Sequence, residues 1–181
     1  MVPSLHPFTY EHYTEILLAI LKTEFAPKLF FENPDTKKVI YIRHDIDNDI
    51  NVAFKMALLE AKAGIKSTYL VLLRSGNYNP AERVNCLLLR EIKNMGHDVG
   101  LHFSLIDHPE KESINNLSDL IAEDTELLSK IIKYDVRVFG FHNPGEESNF
   151  QIKVDGLINT YAESFFDEAS YISESNMKWK K

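Results

Sequence analysis

The sequence predicts an α/β fold with a mainly parallel sheet, open or rolled into a barrel, on three observations. Apolar, β-branched runs alternate with helix-period stretches as β-α-β-α-β-α-β, the order that right-handed crossovers join. One run, residues 67–73, is almost continuously apolar, as strands buried on both faces are. The charged and imidazole side chains cluster where these runs end, which is where α/β folds place their chemistry.

The elements follow in chain order. Thr9 is an N-cap, and Tyr10, Tyr13, Leu17, Ile20 and Leu21 recur at helical spacing for about three turns. Asn33-Pro34-Asp35 is a turn, and the first strand is expected over 38–43. A helix starts near Asp49 or Asn51 with the stripe Val52, Met56, Leu59 and Ala63, and Gly64 stops it. The second strand, 67–73, runs into a polar loop, Arg74-Ser75-Gly76-Asn77-Tyr78. Asn79-Pro80 reads as N-cap and N1 of a helix carrying Val84, Leu87, Leu88 and Ile92 and ending at Gly96. A short strand, 97–101, leads into His102-Phe103-Ser104. A long helix with Leu117, Leu120, Ile121, Leu127, Leu128 and Ile131 inward precedes a fourth strand over 136–141. Residues 157–160 and 170–173 suggest two further short strands. The whole reads as one domain over residues 1–181.

Composition narrows the function. The chain holds 181 residues, 44% of them hydrophobic, with 27 acidic against 20 basic side chains and a net charge of -7. An acidic chain lacks the basic face that nucleic acid or an anionic membrane requires. No apolar run approaches the ~20 residues of a membrane span. The single Cys86 sits in an apolar helical stretch and reads as a buried thiol in a reducing compartment. With no signal-peptide pattern at the N-terminus, a cytoplasmic location is expected. Neither a P-loop nor a G-x-G-x-x-G is present.

The stretch Arg43-His44-Asp45-Ile46-Asp47 carries the clearest signal. Strand alternation puts Arg43, Asp45 and Asp47 on one face and His44 on the other. Two carboxylates at i and i+2 call for a cation or a shared proton between them; the plainer reading is a solvated turn with Asp47 or Asp49 capping the next helix. Five of the seven histidines (His44, His97, His102, His108, His142) lie at or near strand ends. An aspartate and two imidazoles around an open position make a catalytic divalent-metal site, most often zinc, with cobalt, nickel or iron as alternatives. His97 and His44 read better as packing or hydrogen-bonding residues, and His102 is the strongest candidate ligand.

These residues resemble a known family. Arg43-His44-Asp45-Ile46-Asp47, Gly96-His97-Asp98-Val99-Gly100-Leu101-His102 and Phe141-His142-Asn143-Pro144-Gly145 are similar to the motifs of the NodB-homology polysaccharide deacetylases, in particular a divergent branch of bacterial surface-polysaccharide loci. The resemblance implies an irregular, incomplete (β/α) barrel of about six to seven mostly parallel strands. It also implies metal-dependent removal of an N-acetyl group from a sugar or glycan. By position it assigns Asp45, His102 and His108 to the metal, Asp47 to the general base, His142 to the general acid, and Arg43, Asn143 and Pro144 to the substrate groove. The sequence departs from the family in three places. Ile46 separates the aspartates, so their roles can be exchanged. Ile106 stands where the second histidine is expected, leaving His108, His142 or a water to complete the shell. The family's C-terminal strand and its histidine have no counterpart before Lys181, from which a truncated domain is expected. The alternatives are a non-catalytic carbohydrate-binding protein and a metal-dependent amidase acting on a small metabolite.

Overall fold

Five parallel strands form the central sheet in the order β3-β4-β5-β6-β7, each reached from the one before it through a helical or loop crossover. The architecture comes from a computed structural model that describes residues 9–32, 38–108, 117–142 and 151–165, and the backbone alone of 173–175 and 178–180. Its elements are α1 (Tyr10–Ile20), β1 (Ala26–Lys28), β2 (Val39–Tyr41), β3 (Arg43–Ile46), α2 (Ile50–Ala63), β4 (Thr68–Val71), α3 (Arg83–Asn94), β5 (Asp98–Phe103), α4 (Leu117–Ile132), β6 (Val138–Phe141) and β7 (Ile158–Asn159). Two further strands, β8 (Ser173–Ser175) and β9 (Lys178–Lys180), pair antiparallel as a separate hairpin. No described helix is long and apolar enough to cross a membrane.

The two faces of the sheet differ. Ile46, Tyr69, Val71, Val99, Leu101, Phe103, Phe139 and Phe141 point to the helices and join Ile50, Ala53, Ala57, Leu89, Ile92, Ile121, Leu128 and Ile132 in the main core. The alternate residues point the other way. There Leu70 and Val138 meet Phe30, with Tyr41, Ile158 and Phe165 packed around them. Helices on one face only, with a small apolar plug on the other, is the arrangement of a barrel wall rather than of a sheet covered on both sides. The expected fold class, an incomplete (β/α) barrel with mostly parallel strands, is what the chain adopts.

Several boundaries differ from the sequence reading. The strand expected over 38–43 divides at Ile42: β2 pairs with β1, which Pro27 had hidden from view, whereas β3 pairs with β4 and continues through Asp45 and Ile46. On α2 the buried stripe is Ile50, Ala53, Ala57 and Glu60, and Val52 is exposed. Close packing of the helix on the sheet selects small alanines over larger side chains one register away. Asn79-Pro80 forms a turn, with Asn79 Oδ1 accepting the Ala81 N–H at 2.9 Å, and α3 begins only at Arg83. Its inward face is Asn85, Leu89 and Ile92, leaving Val84 and Leu87 exposed. Of the last predicted strand, 170–173, Ser173 opens β8 and residues 170–172 lie outside the described residues.

Candidate metal centre

Three strands bring their C-terminal ends to one place. β3 ends in Asp45 and Ile46, and Asp47 directly follows it; β5 carries His102; His142 follows β6. The parallel register aligns Asp45 with Leu70 and Gly100, and His102 with Gly140. Since side chains alternate, Asp45, Asp47, His102 and His142 all project to the inner face, while His44 projects to the helices.

Asp47, His102 and His142 converge there. His102 Nε2 lies 3.4 Å from Asp47 Oδ1, His142 Nδ1 lies 3.4 Å from the same oxygen, and the two imidazole nitrogens are 3.2 Å apart. A tetrahedral centre with bonds of about 2.0–2.1 Å has ligand–ligand edges of about 3.3–3.4 Å. The three atoms therefore fit one face of such a centre, leaving a fourth position open. The donor set, two imidazoles and a carboxylate, suits zinc and its first-row neighbours. Asp47 Oδ1 is buried without a hydrogen-bond partner among the described residues, so the lone pairs it turns toward the two imidazoles lack the neutralisation that a cation would supply. The His102 imidazole holds the Asp47 carboxyl below the usual range, aided by the charge of His142, against burial that pushes it up.

Asp45 stands beside this triangle with a different partner. Its Oδ2 accepts a hydrogen bond from Arg43 Nη2 at 3.0 Å and lies 3.7 Å from His102 Nε2. Arg43 also donates to the Tyr161 hydroxyl at 2.9 Å and to Thr160 Oγ1 at 3.1 Å, with its guanidinium 4.6 Å from the Tyr161 ring centroid. The end of β3 is itself clamped by the 74–78 loop. The Tyr78 hydroxyl donates to Ile46 O at 2.6 Å and accepts the Leu72 N–H at 2.9 Å. Asn77 Nδ2 donates to Asp47 O at 3.2 Å. Asp49, not Asp47, caps α2, its Oδ1 accepting the Asn51 N–H at 2.8 Å.

The placement of the expected site residues is thus mixed. Asp47, His102 and His142 come together, with Asp45 and Arg43 adjacent. His108 does not join them. After Ser104 a single 3-10 turn, Leu105–Asp107, carries the chain away from the inner face. His108 then sits against Phe103 with ring centroids 5.3 Å apart, its Nε2 2.9 Å from Asp124 Oδ2 on α4. Arg74 Nη1 donates to the same Asp124 oxygen at 2.6 Å. The structure thus sets His108 apart from the cluster to which the sequence assigned it, and His142, which follows β6, stands beside Asp47 and His102 in its place. Asn143 and Pro144 lie outside the described residues.

Behind the site is a second polar cluster that no motif announced. Glu60, fully buried on α2, accepts a hydrogen bond from His44 Nε2 at 2.6 Å and from the Tyr69 hydroxyl at 2.6 Å, and further ones from the hydroxyls of Tyr13 and Ser67. Burial alone would raise its carboxyl, but the His44 hydrogen bond and charge, with the Ser67 and Tyr13 hydroxyls, outweigh it and hold the group at about 2. His97 is buried beside it, its Nδ1 accepting the Ser67 N–H at 3.2 Å while Nε2–H donates to Ala57 O at 3.0 Å. That pairing requires the neutral ring, and burial lowers its pKa in the same sense, with Glu60 opposing. His44 and His97 have the structural roles expected of them.

No family model and no curated protein sequence matches this chain. Among solved structures, the fold is similar to that of a Streptococcus pyogenes deacetylase, PplD, in complex with acetate, with a TM-score of 0.53 and 15% identity over 80% of this chain and 72% of that one. A family 4 acetyl xylan esterase from Clostridium thermocellum, in complex with a cobalt ion, aligns over 55% of this chain and 46% of that one, with a TM-score of 0.36 and 18% identity.

Proposed function

We propose that the chain is a metal-dependent hydrolase that removes an N-acetyl group from a sugar or glycan. One observation carries this reading: two imidazoles and a carboxylate spaced as one face of a tetrahedral centre, with an arginine-held second carboxylate beside them. The similarity of the fold to a deacetylase whose structure holds acetate supports the choice of acyl group.

Asp47, His102 and His142 would hold the ion, which makes His142 a ligand rather than the general acid first expected of it. A divalent ion in such a site lowers the pKa of bound water and polarises a carbonyl. The protein's own residues do the rest. Asp45 is the general base, the reverse of the first assignment of the two aspartates, because the Asp47 carboxylate faces both histidines whereas that of Asp45 faces Arg43. With Oδ2 engaged by Arg43, Asp45 Oδ1 is the atom that takes the proton as water attacks the acetamide carbonyl, and it returns that proton to the sugar amine as the C–N bond breaks and acetate departs. Arg43 fixes the orientation of that carboxylate through its hydrogen bond to Oδ2. The 74–78 loop, by clamping Ile46 and Asp47 through their carbonyls, keeps the two carboxylates in register with His102.

The test is metal content and acetate release measured on the same preparations. Wild type is expected to carry about one divalent ion per chain and to release acetate from N-acetylglucosamine oligomers. Asp45→Asn should keep the ion and lose turnover, whereas His142→Ala should lose both. A His142→Ala protein that still holds an ion with wild-type affinity overturns the site.

A further inference from the structure

β3 and β7 are the first and last strands of the five-stranded sheet, three strands apart, and neither pairs with the other. Arg43 nonetheless connects them. Its side chain leaves β3 on the inner face and reaches the residues that follow β7, 117 and 118 positions along the chain, where it meets Thr160 Oγ1 and the Tyr161 hydroxyl. The path has been kept open. A Cβ at Gly140, on the intervening β6, would stand 2.6 Å from Thr160 Oγ1, 2.7 Å from Leu70 Cδ1 and 3.5 Å from Arg43 Nη1. Thr160 is held in turn by its own N–H donating to Phe139 O at 2.9 Å, and Tyr161 N–H donates to Asn159 Oδ1 at 3.0 Å. The Arg43 side chain is largely buried and Thr160 and Tyr161 are buried, so these bonds form where water competes poorly.

We propose that Arg43, Thr160 and Tyr161 form a side-chain strut that closes the incomplete barrel across its gap, and that Thr160 and Tyr161 are positioning residues for Asp45, acting through Arg43. One nitrogen, Nη2, bonds both Asp45 and the Tyr161 hydroxyl, so moving the far end of the strut turns the guanidinium plane against the carboxylate. Two edges of a sheet that share no backbone ladder are thereby coupled at the base itself. The positioning claim rests on the assignment of Asp45 as base; the closure claim does not.

The test uses the whole chain with Thr160→Val and Tyr161→Phe, singly and together. Both changes keep shape and remove the hydroxyl that accepts from Arg43. Three measurements are made: amide hydrogen exchange, the Asp45 carboxyl carbon resonance, and kcat and KM for N-acetylglucosamine oligomers. The double variant is expected to speed exchange at Ile158 and Thr160 about tenfold, as loss of charge-assisted hydrogen bonds would, with Leu70 and Leu101 unchanged. The Asp45 resonance should shift while bound metal stays at the wild-type level, and kcat should fall with KM steady. Unaltered exchange at Ile158 and Thr160 overturns the strut, and an unmoved Asp45 resonance overturns the positioning role. Wild-type protein that releases no acetate from any acetylated sugar would refute the hydrolase reading, while exchange and the Asp45 resonance still decide the strut.

Discussion

Replacing Glu60 by glutamine isolates the charge of the network behind the site. The carboxylate accepts four hydrogen bonds, with His44 and Tyr13 at Oε1 and Ser67 and Tyr69 at Oε2. Glutamine of the same shape can place its carbonyl at Oε1 and its amide nitrogen at Oε2, where the two hydroxyls turn to accept. The bond count survives and the charge is lost. A carboxyl held at about 2 against an ordinary 4.5 contributes about 3 kcal/mol to stability at neutral pH. The sign follows from the lowered value. The contribution is complete above the unfolded carboxyl's range and is lost as pH falls toward 2. Glu60→Gln should therefore lower stability by about 3 kcal/mol at pH 7, a fall in Tm of about 6–12 °C for a chain of this size. The deficit should narrow to roughly half of that near pH 3. Urea unfolding of both proteins at the two pH values measures it, and every other carboxylate cancels in the difference. An equal deficit at both pH values would show that shape rather than ionisation is at stake and would refute the reasoning.

Two further perturbations test placements on the sheet. His108→Ala should retain full metal content and lose about 1–3 kcal/mol of stability, because it leaves the buried Asp124 carboxylate with one partner fewer; metal loss on dialysis would return His108 to the coordination shell. Gly100→Ala and Gly140→Ala should part company. The first drives a Cβ to 2.6 Å from the Val138 backbone carbonyl, which cannot step aside, whereas the second meets the ends of the Thr160 and Leu70 side chains. Gly100→Ala should lose about 3 kcal/mol and Gly140→Ala about 1 kcal/mol, yet Gly140→Ala should depress turnover more at equal folded fraction, since it displaces Thr160. Thermal unfolding alongside kcat decides between them, and identical rankings in both assays would count against the strut.

What was legible in the sequence had short range. Alternation along a strand is a local, period-2 property, so the shared face of Arg43, Asp45 and Asp47 and the opposite face of His44 could be read directly, and both hold. The crossover order fixed the parallel sheet, and strand ends pointed to His102 and His142. Helical register was harder. The stripes Val52/Met56/Leu59/Ala63 and Ile50/Ala53/Ala57/Glu60 fit a 3.6-residue period about equally, and preferring large apolar side chains selected the wrong one. That error hid Glu60, since a glutamate on a helix is ordinarily solvated. His108 was misplaced for a related reason. Counting six residues from His102 treats the loop as a tether, whereas the 3-10 turn at 105–107 directs the chain to α4. The bonds from Arg43 to Thr160 and Tyr161 have no local signature at all.

Among the described residues β3 lies at the edge of its sheet, paired with β4 along one side, and yet it and the residue after it carry both carboxylates of the site. An edge strand held by one ladder opens more readily than a central one. The Asp47–His102–His142 triangle tolerates little movement, because its three edges span only 3.2 to 3.4 Å and its members come from three strands or the residues that directly follow them. The side chains of β3 supply what the missing ladder does not. His44 ties the strand outward to Glu60, and through it to Tyr13 of α1; Arg43 ties it inward to Thr160 and Tyr161; Tyr78 and Asn77 hold its terminal carbonyls. These three sets of bonds leave the strand in different directions, so together they restrain its translation and its twist. Weakening the outer one should therefore reach the inner face. If Glu60→Gln lowers metal affinity at pH 7, the rear cluster and the site act as one mechanical unit through β3; an affinity equal to that of wild type would show that they do not.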